Sequence, residues 1–289
     1  MWLSILIFIL SIIPSALIIA WMFKRHGKED LTYKRTAKGA LWRGLLSVLP
    51  ILLVSATLYV VNVVLKLTIF KGIPVLAYQA VYKFVVLAFA EEIIKYLMLR
   101  LTLKKSNGYS WSDVVAFMVI IGTAFGLMED IPYAVGADVP TMLVRGFTMG
   151  HVGYAFMMGW FYGKSVKTGK KRYDVIAVLL PWALHGIYDY SLTPELMDIN
   201  ENFMFIAVGM AVLDVVVLAL MIRFFVRERK HPQEKYLLSL VPAVADGDSL
   251  PSAEQTTIEP ASDSLARSDA EPQSSPDESA ETTDKHFNS

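Results

Sequence analysis

Apolar residues along this chain run in long unbroken stretches separated by short basic ones, without the strict alternation of a half-buried strand. A bilayer core asks a helix for about 20 such residues, and seven runs are read, at roughly 2–23, 44–66, 75–100, 111–136, 142–163, 175–194 and 203–226. Continuous rather than alternating hydrophobicity selects helices over a barrel. The predicted fold is therefore all-α, a polytopic transmembrane helical bundle of about seven to eight spans. An interfacial helix is expected within 28–43, where Leu31, Tyr33, Leu41 and Trp42 interleave with basic residues.

The basic residues orient the bundle. Lys24, Arg25, Lys28, Lys34, Arg35, Lys38 and Arg43 follow the first run. Lys104 and Lys105 follow the third, Lys164 to Arg172 the fifth, and Arg227, Arg229 and Lys230 the last. With the N-terminus outside, all four clusters fall on the cytoplasmic side, so the positive-inside rule gives N-out, C-in. The first run lacks a basic leader and carries its positive charge behind it, which suits a retained helix rather than a cleaved signal peptide. The expected location is the cell (plasma) membrane, crossed many times.

Composition agrees and adds a division. Hydrophobic residues make up 54% of 289 residues, mean hydropathy is +0.45, and cysteine is absent, which excludes disulfides, thiolate nucleophiles and Cys-ligated zinc. The formal net charge of zero averages two unlike parts. From His231 to Ser289, twelve acidic residues face only Lys235, Arg267 and Lys285, leaving −9 there and +9 on the rest. Residues 1–230 are read as a transmembrane domain with its motif-bearing core at about 75–226, and 231–289 as a disordered, acidic cytoplasmic tail. No repeat, phosphate loop or nucleic-acid signature is present, and the basic loops are explained by topology; no nucleic-acid partner is expected.

Polar residues inside the apolar runs change the picture from anchor to enzyme. Glu91 and Glu92 are adjacent in the third run, where each charged group costs about 2.5–3.5 kcal/mol at a helix centre. Lys95 lies four residues from Glu91 and three from Glu92, within reach of either. Such a carboxylate suits general-base work on water; a buried Glu–Lys pair that only fixes packing leaves the second glutamate unexplained. In the fourth run Phe125 and Glu129 share a face, aiming a third carboxyl into the bundle beneath an aromatic wall, while Asp130 lies about 100° further round, towards a watery vestibule. The fifth run carries His151 among Gly146, Gly150, Gly153, Gly159 and Gly163, glycines that permit close helix approach; Arg145 sits nearer its outer end. In the sixth, His185 and Asp189 are one turn apart, so the carboxylate can orient the imidazole. Lys83 and Asp214 also fall within apolar runs and have no specific reading.

The ordered set EExxK (Glu91, Glu92, Lys95), FxxxE (Phe125, Glu129), His151 within GHVGYAFMMGWFYG, and HxxxD (His185, Asp189) resembles the PrsW-type intramembrane proteases, in the wider superfamily of prenyl endopeptidases and bacteriocin-immunity-related membrane proteins. The resemblance covers roughly residues 75–226. Prenyl endopeptidases typically carry EExxxR, FxxxH and HxxxN, and Lys95, Glu129 and Asp189 depart from that pattern in the PrsW direction. The resemblance implies a metal-independent glutamic peptidase that cuts a single-span membrane protein such as an anti-sigma factor. It also implies roles. Glu91 and Glu129 hold and deprotonate the attacking water, Glu92 tunes the pair, and Lys95 orients it. His185, backed by Asp189, stabilises the oxyanion, with His151 beside the same cavity.

Three alternatives stay open at this point. Zinc could be ligated by His151, His185 and Glu129 with Glu91 as base, although no HExxH helix is present. A proton-coupled transporter would use the same carboxylates, but no inverted or parallel repeat relates the halves. An inactive scaffold could bind a partner helix in the same cavity.

Overall fold

The computed structural model describes residues 2–25, 30–68, 71–104, 109–136 and 150–230, without the side chains of 2–11, 132–136 and 229–230. The tail 231–289, the first part of the expected span 142–163, and Arg145 and Gly146 lie outside the described residues. Every regular element among the described residues is helical. In order these are α1 (Trp2–Phe23), α2 (Leu31–Leu46), α3 (Val48–Thr68), α4 (Val75–Ala80), a π-helical segment (Val81–Ala88), α5 (Phe89–Leu103), α6 (Trp111–Gly136), α7 (Gly150–Thr168), α8 (Lys171–Ser191), α9 (Pro194–Ile199) and α10 (Asn202–Lys230).

The expected runs reappear as helices with ends shifted by a few residues. Three helical stretches are long and apolar enough to cross a membrane by length and composition: Leu31–Thr68, Trp111–Ile131 and Asn202–Glu228. Two of the others fall short for a chemical reason. The stretch 75–103 is divided by the π-helical segment and carries Glu91, Glu92 and Lys95; α8 carries Pro181, His185 and Asp189. The same residues that build a site dilute the hydrophobic signal.

α6 is the central post. Its apolar window is 72% buried, against 11% for α2–α3 and 28% for α10. Val114 to Ile121 are buried without a break, as a helix surrounded on all sides requires. Its start is set by a reciprocal cap: Ser110 N–H donates to Asp113 Oδ2 at 3.0 Å, and Asp113 N–H to Ser110 Oγ at 3.1 Å. α7 comes close to it because three contacts use glycine. A Cβ on Gly122 would stand 2.4 Å from Ala155 Cβ, one on Gly159 2.9 Å from Val115 Cα, and one on Gly163 2.3 Å from Trp111 Cδ1.

The helix expected within 28–43 is present as α2, and one of its faces packs against the bundle. Asp30 caps it by accepting from Tyr33 N–H at 2.9 Å. Tyr33, Thr36, Ala37, Ala40 and Gly44 form one buried face at helical spacing, and a Cβ on Gly44 would lie 2.5 Å from Ile121 O. α1 is tied in at its end. Arg25 hydrogen-bonds Ser112, and its guanidinium lies 3.8 Å from Asp113 and 3.5 Å from Glu228, joining α1, α6 and α10. The outward faces of α3 and α10 remain apolar, with Leu53 at 71% and Phe205 at 72% exposure, which suits lipid.

Candidate active site

The site begins with a defect in a helix. Over Val81–Ala88 the hydrogen bonds run one residue longer than in an α-helix, so that Phe89 N–H bonds to Phe84 O. Such segments are rare and frequently mark functional positions. Two side chains from other helices satisfy carbonyls in it. Trp182 Nε1–H on α8 donates to Phe84 O at 2.7 Å, and Ser55 Oγ on α3 donates to Val86 O at 3.2 Å. One turn beyond Trp182, Gly186 leaves space for the Phe84 ring, which a Cβ there would meet at 2.4 Å. The segment hands the chain to α5 with Glu91, Glu92 and Lys95 turned into the bundle. Replacing Gly186 with alanine is therefore expected to cost about 1–3 kcal/mol through overpacking, and to lower activity by shifting the glutamates. Thermal unfolding and turnover of the purified variant check this.

The two glutamates have different surroundings. Glu92 is fully buried, and its Oε1 takes Lys95 Nζ at 2.5 Å and His185 Nδ1 at 2.9 Å. Glu91 is 9% exposed, and its Oε2 lies 3.8 Å from both Lys95 Nζ and His185 Nε2, without a hydrogen bond. Glu92 is thus the hub of the network, and Glu91 its loosely held member. Lys95, itself fully buried, also approaches His151 Nδ1 at 3.3 Å and stands over the Phe125 ring at 4.8 Å.

The remaining residues close around this pair. Glu129 Oε2 contacts His151 Nε2 directly, so α6 and α7 meet through their polar groups. Phe125 packs edge-on against His151 at 5.1 Å, the aromatic wall that the FxxxE spacing predicts. The His151 and His185 rings are 5.3 Å apart and nearly perpendicular. Asp189 Oδ2 lies 3.7 Å from His185 Nε2; the closer carboxylate on that ring is Glu92, at the other nitrogen. All eight residues singled out by motif therefore come together, from α5, α6, α7 and α8.

A cavity of about 50 Å³ adjoins them, lined by Glu129, Asp130, His151, His185 and Asp189 among others, room for a few waters. Ser15 on α1 also lines it, so the first helix supplies part of the wall. Tyr154 was not singled out by sequence, yet its ring stacks on His185 at 5.1 Å and 20°. Tyr154 and Trp182 each lie three residues from a site histidine on the same helix, and that spacing was the available signal.

Buried carboxylates and histidines beside water-sized space, inside an apolar helical bundle, are the equipment of a membrane-embedded hydrolase. Residues 34–222 match the PrsW family, described as intramembrane metalloproteases. The match spans more than half of the chain, and the protein belongs to the PrsW family; it is an intramembrane peptidase. Similar proteins include Protease PrsW of Clostridioides difficile (strain 630), 29% identical over 202 residues, which cover 65% of this chain and 80% of that one. Protease PrsW of Shouchella clausii (strain KSM-K16) is 29% identical over 153 residues, covering 50% and 70%. Protease PrsW of Geobacillus kaustophilus (strain HTA426) is 27% identical over 123 residues, covering 41% and 55%. No solved structure matches the chain. Membership decides against the transporter and the inactive scaffold. All eight motif residues lie within the matched region, whereas α1 and its Ser15 precede it.

Proposed function

We propose that this protein is a regulatory protease of the cell membrane, crossing it about seven times with its N-terminus outside, and that it cuts a single-span membrane protein such as an anti-sigma factor. In this reading residues 1–230 are the protease domain and 231–289 an acidic cytoplasmic tail. The observation that carries the chemistry is the meeting of Glu91, Glu92, His151 and His185, one donor atom from each within 4.8 Å of the others, beside a cavity with room for a few waters.

Glu91 takes a proton from the attacking water as the new O–C bond forms at the scissile carbonyl. His185 is held at Nδ1 by Glu92 Oε1, which leaves Nε2 facing the reacting side; in its cationic form the ring donates Nε2–H to the developing oxyanion. Asp189, 3.7 Å from that nitrogen, supports the charge. When the C–N bond breaks, Glu91 returns its proton to the leaving amine, so the chain ends as it began. Glu129 and His151 hold the far side of the water site, and Lys95 compensates the charge of the tandem glutamates.

A zinc-dependent form of the same peptidase is the second reading, favoured by the family description and by the donor set. Two imidazoles with carboxylates suit zinc, and Glu91 Oε2 and Glu92 Oε2 are buried without hydrogen-bond partners. Glu91, Glu92, His151 and His185 would hold the ion, which would supply Lewis acidity at the carbonyl. Lys95 Nζ, at 2.5 Å from Glu92, already sets a cation among these donors, which is why the metal-free form comes first.

The test uses purified full-length protein in liposomes with a panel of fluorogenic single-span peptides, with and without chelator. Cleavage that survives chelation and exhaustive metal analysis supports the glutamate mechanism. Cleavage lost with the metal and regained on adding zinc moves the site to the metalloprotease form. A wild type that cuts soluble unfolded proteins but no membrane-spanning peptide would overturn the membrane-substrate reading.

A further inference from the structure

Asp214 lies on α10, outside every motif considered above. It is 2% exposed, and neither of its carboxylate oxygens has a hydrogen-bond partner. An unpaired carboxyl buried in a bundle is costly, and such groups call for a reason. The hydroxyl of Tyr154, also 2% exposed, is likewise without a partner. Both orphans border the space beside Gly150. A Cβ on Gly150 would lie 3.3 Å from Asp214 Oδ2 and 3.6 Å from the Tyr154 hydroxyl oxygen. On the next turn, a Cβ on Gly153 would lie 3.7 Å from Asp214 Oδ1. Glycine at 150 eases the approach of the α10 carboxylate to α7, whereas at 153 a Cβ would meet it at ordinary contact distance. The other end of the phenol belongs to the site, because its ring is stacked on His185.

We propose that Asp214 is a positioning residue for His185, acting through Tyr154. One water in the Gly150 gap accepts from the Tyr154 hydroxyl and donates to the Asp214 carboxylate, which locks the phenol. The locked ring then holds the imidazole plane so that Nδ1 meets Glu92 and Nε2 faces the cavity. α10 enters catalysis in this way without touching substrate, and a destabilising group is retained for function.

The inference rests on His185 acting in proteolysis, and the experiment separates the two. Wild type and variants of the full chain are reconstituted in liposomes with a fluorogenic single-span peptide that wild type cleaves; turnover, half-saturating peptide fraction and melting temperature are measured. Tyr154→Phe and Asp214→Leu are each expected to lower turnover about tenfold at unchanged half-saturation, while Asp214→Asn, which still accepts a hydrogen bond, stays within about twofold. The double variant Tyr154→Phe/Asp214→Leu is expected to be no slower than the slower single one, since both break the same link. Asp214→Leu should melt at or above the wild-type temperature, because it removes a buried carboxylate with no protein partner; a purely structural role predicts a fall. Wild-type turnover in Asp214→Leu, additive losses in the double variant, or a turnover loss that tracks a lower melting temperature would each overturn the proposal. An active His185→Gln would instead sink the role of His185 itself, whereas an inactive His185→Gln beside a fully active Asp214→Leu sinks only the part given to Asp214.

Discussion

Glu91→Gln is expected to lower turnover by about 10²–10⁴-fold while leaving the protein folded and at least as stable as wild type. The substitution is nearly isosteric, and the side chain it alters has one oxygen without a hydrogen-bond partner, 3.8 Å from both Lys95 Nζ and His185 Nε2. Its ion pairs with Lys95 and His185 are both long, so the loss would report chemistry more than folding. Glu92→Gln provides the contrast, although it lies next door. Glu92 Oε1 serves Lys95 and His185 together, so removing its charge strands a fully buried ammonium and frees an imidazole. That variant should be destabilised by about 3–5 kcal/mol as well as slowed. Turnover and thermal unfolding of the two variants, side by side, split a tandem pair into a reacting member and a holding member. Equal loss of stability in both would erase the distinction.

Lys95→Met is the second large effect, and it falls on stability. Lys95 is fully buried, with Glu92 at 2.5 Å, His151 Nδ1 at 3.3 Å and the Phe125 face at 4.8 Å. Methionine fills nearly the same volume but leaves Glu92 charged and buried, and breaking such a pair costs about 3–5 kcal/mol. Adding Glu92→Gln to Lys95→Met should recover much of that loss, because two apolar or neutral groups no longer need each other. Activity should not return, since His185 has then lost the carboxylate at its Nδ1. Chemical unfolding in lipid or detergent measures the first part, and peptide turnover the second. A double variant no more stable than Lys95→Met would show that Lys95 serves packing alone.

The helices were legible because hydrophobic periodicity is local. The runs at 111–136 and 203–226 returned almost unchanged as α6 and α10. The helix at 28–43 was legible but its packing face was not: Thr36, Ala37, Ala40 and Gly44, small residues among lysines and arginines, pack against the bundle, and charge masked them. The site was legible as a set, since each motif puts polar atoms where lipid forbids them without cause. The distribution of partners was not. The HxxxD spacing pairs His185 with Asp189, whereas the closer carboxylate on that ring is Glu92, 93 positions away in sequence. Helical spacing sees one turn up and one turn down, and it carries nothing about which neighbouring helix arrives. The π-helical segment, the Trp182 bond to Phe84 O and the stack of Tyr154 on His185 were missed for the same reason.

Peptide hydrolysis inside the bundle, at Glu91, is the proposal on which every other assigned role depends. It is tested most directly by mass spectrometry of the products from a single-span peptide in liposomes, with wild type and Glu91→Gln run in parallel. Two wild-type fragments that divide the peptide within its membrane-spanning stretch are expected, and neither fragment with Glu91→Gln. A cut confined to the soluble flanks of the peptide, or the same fragments appearing at the same rate with Glu91→Gln, would contradict it.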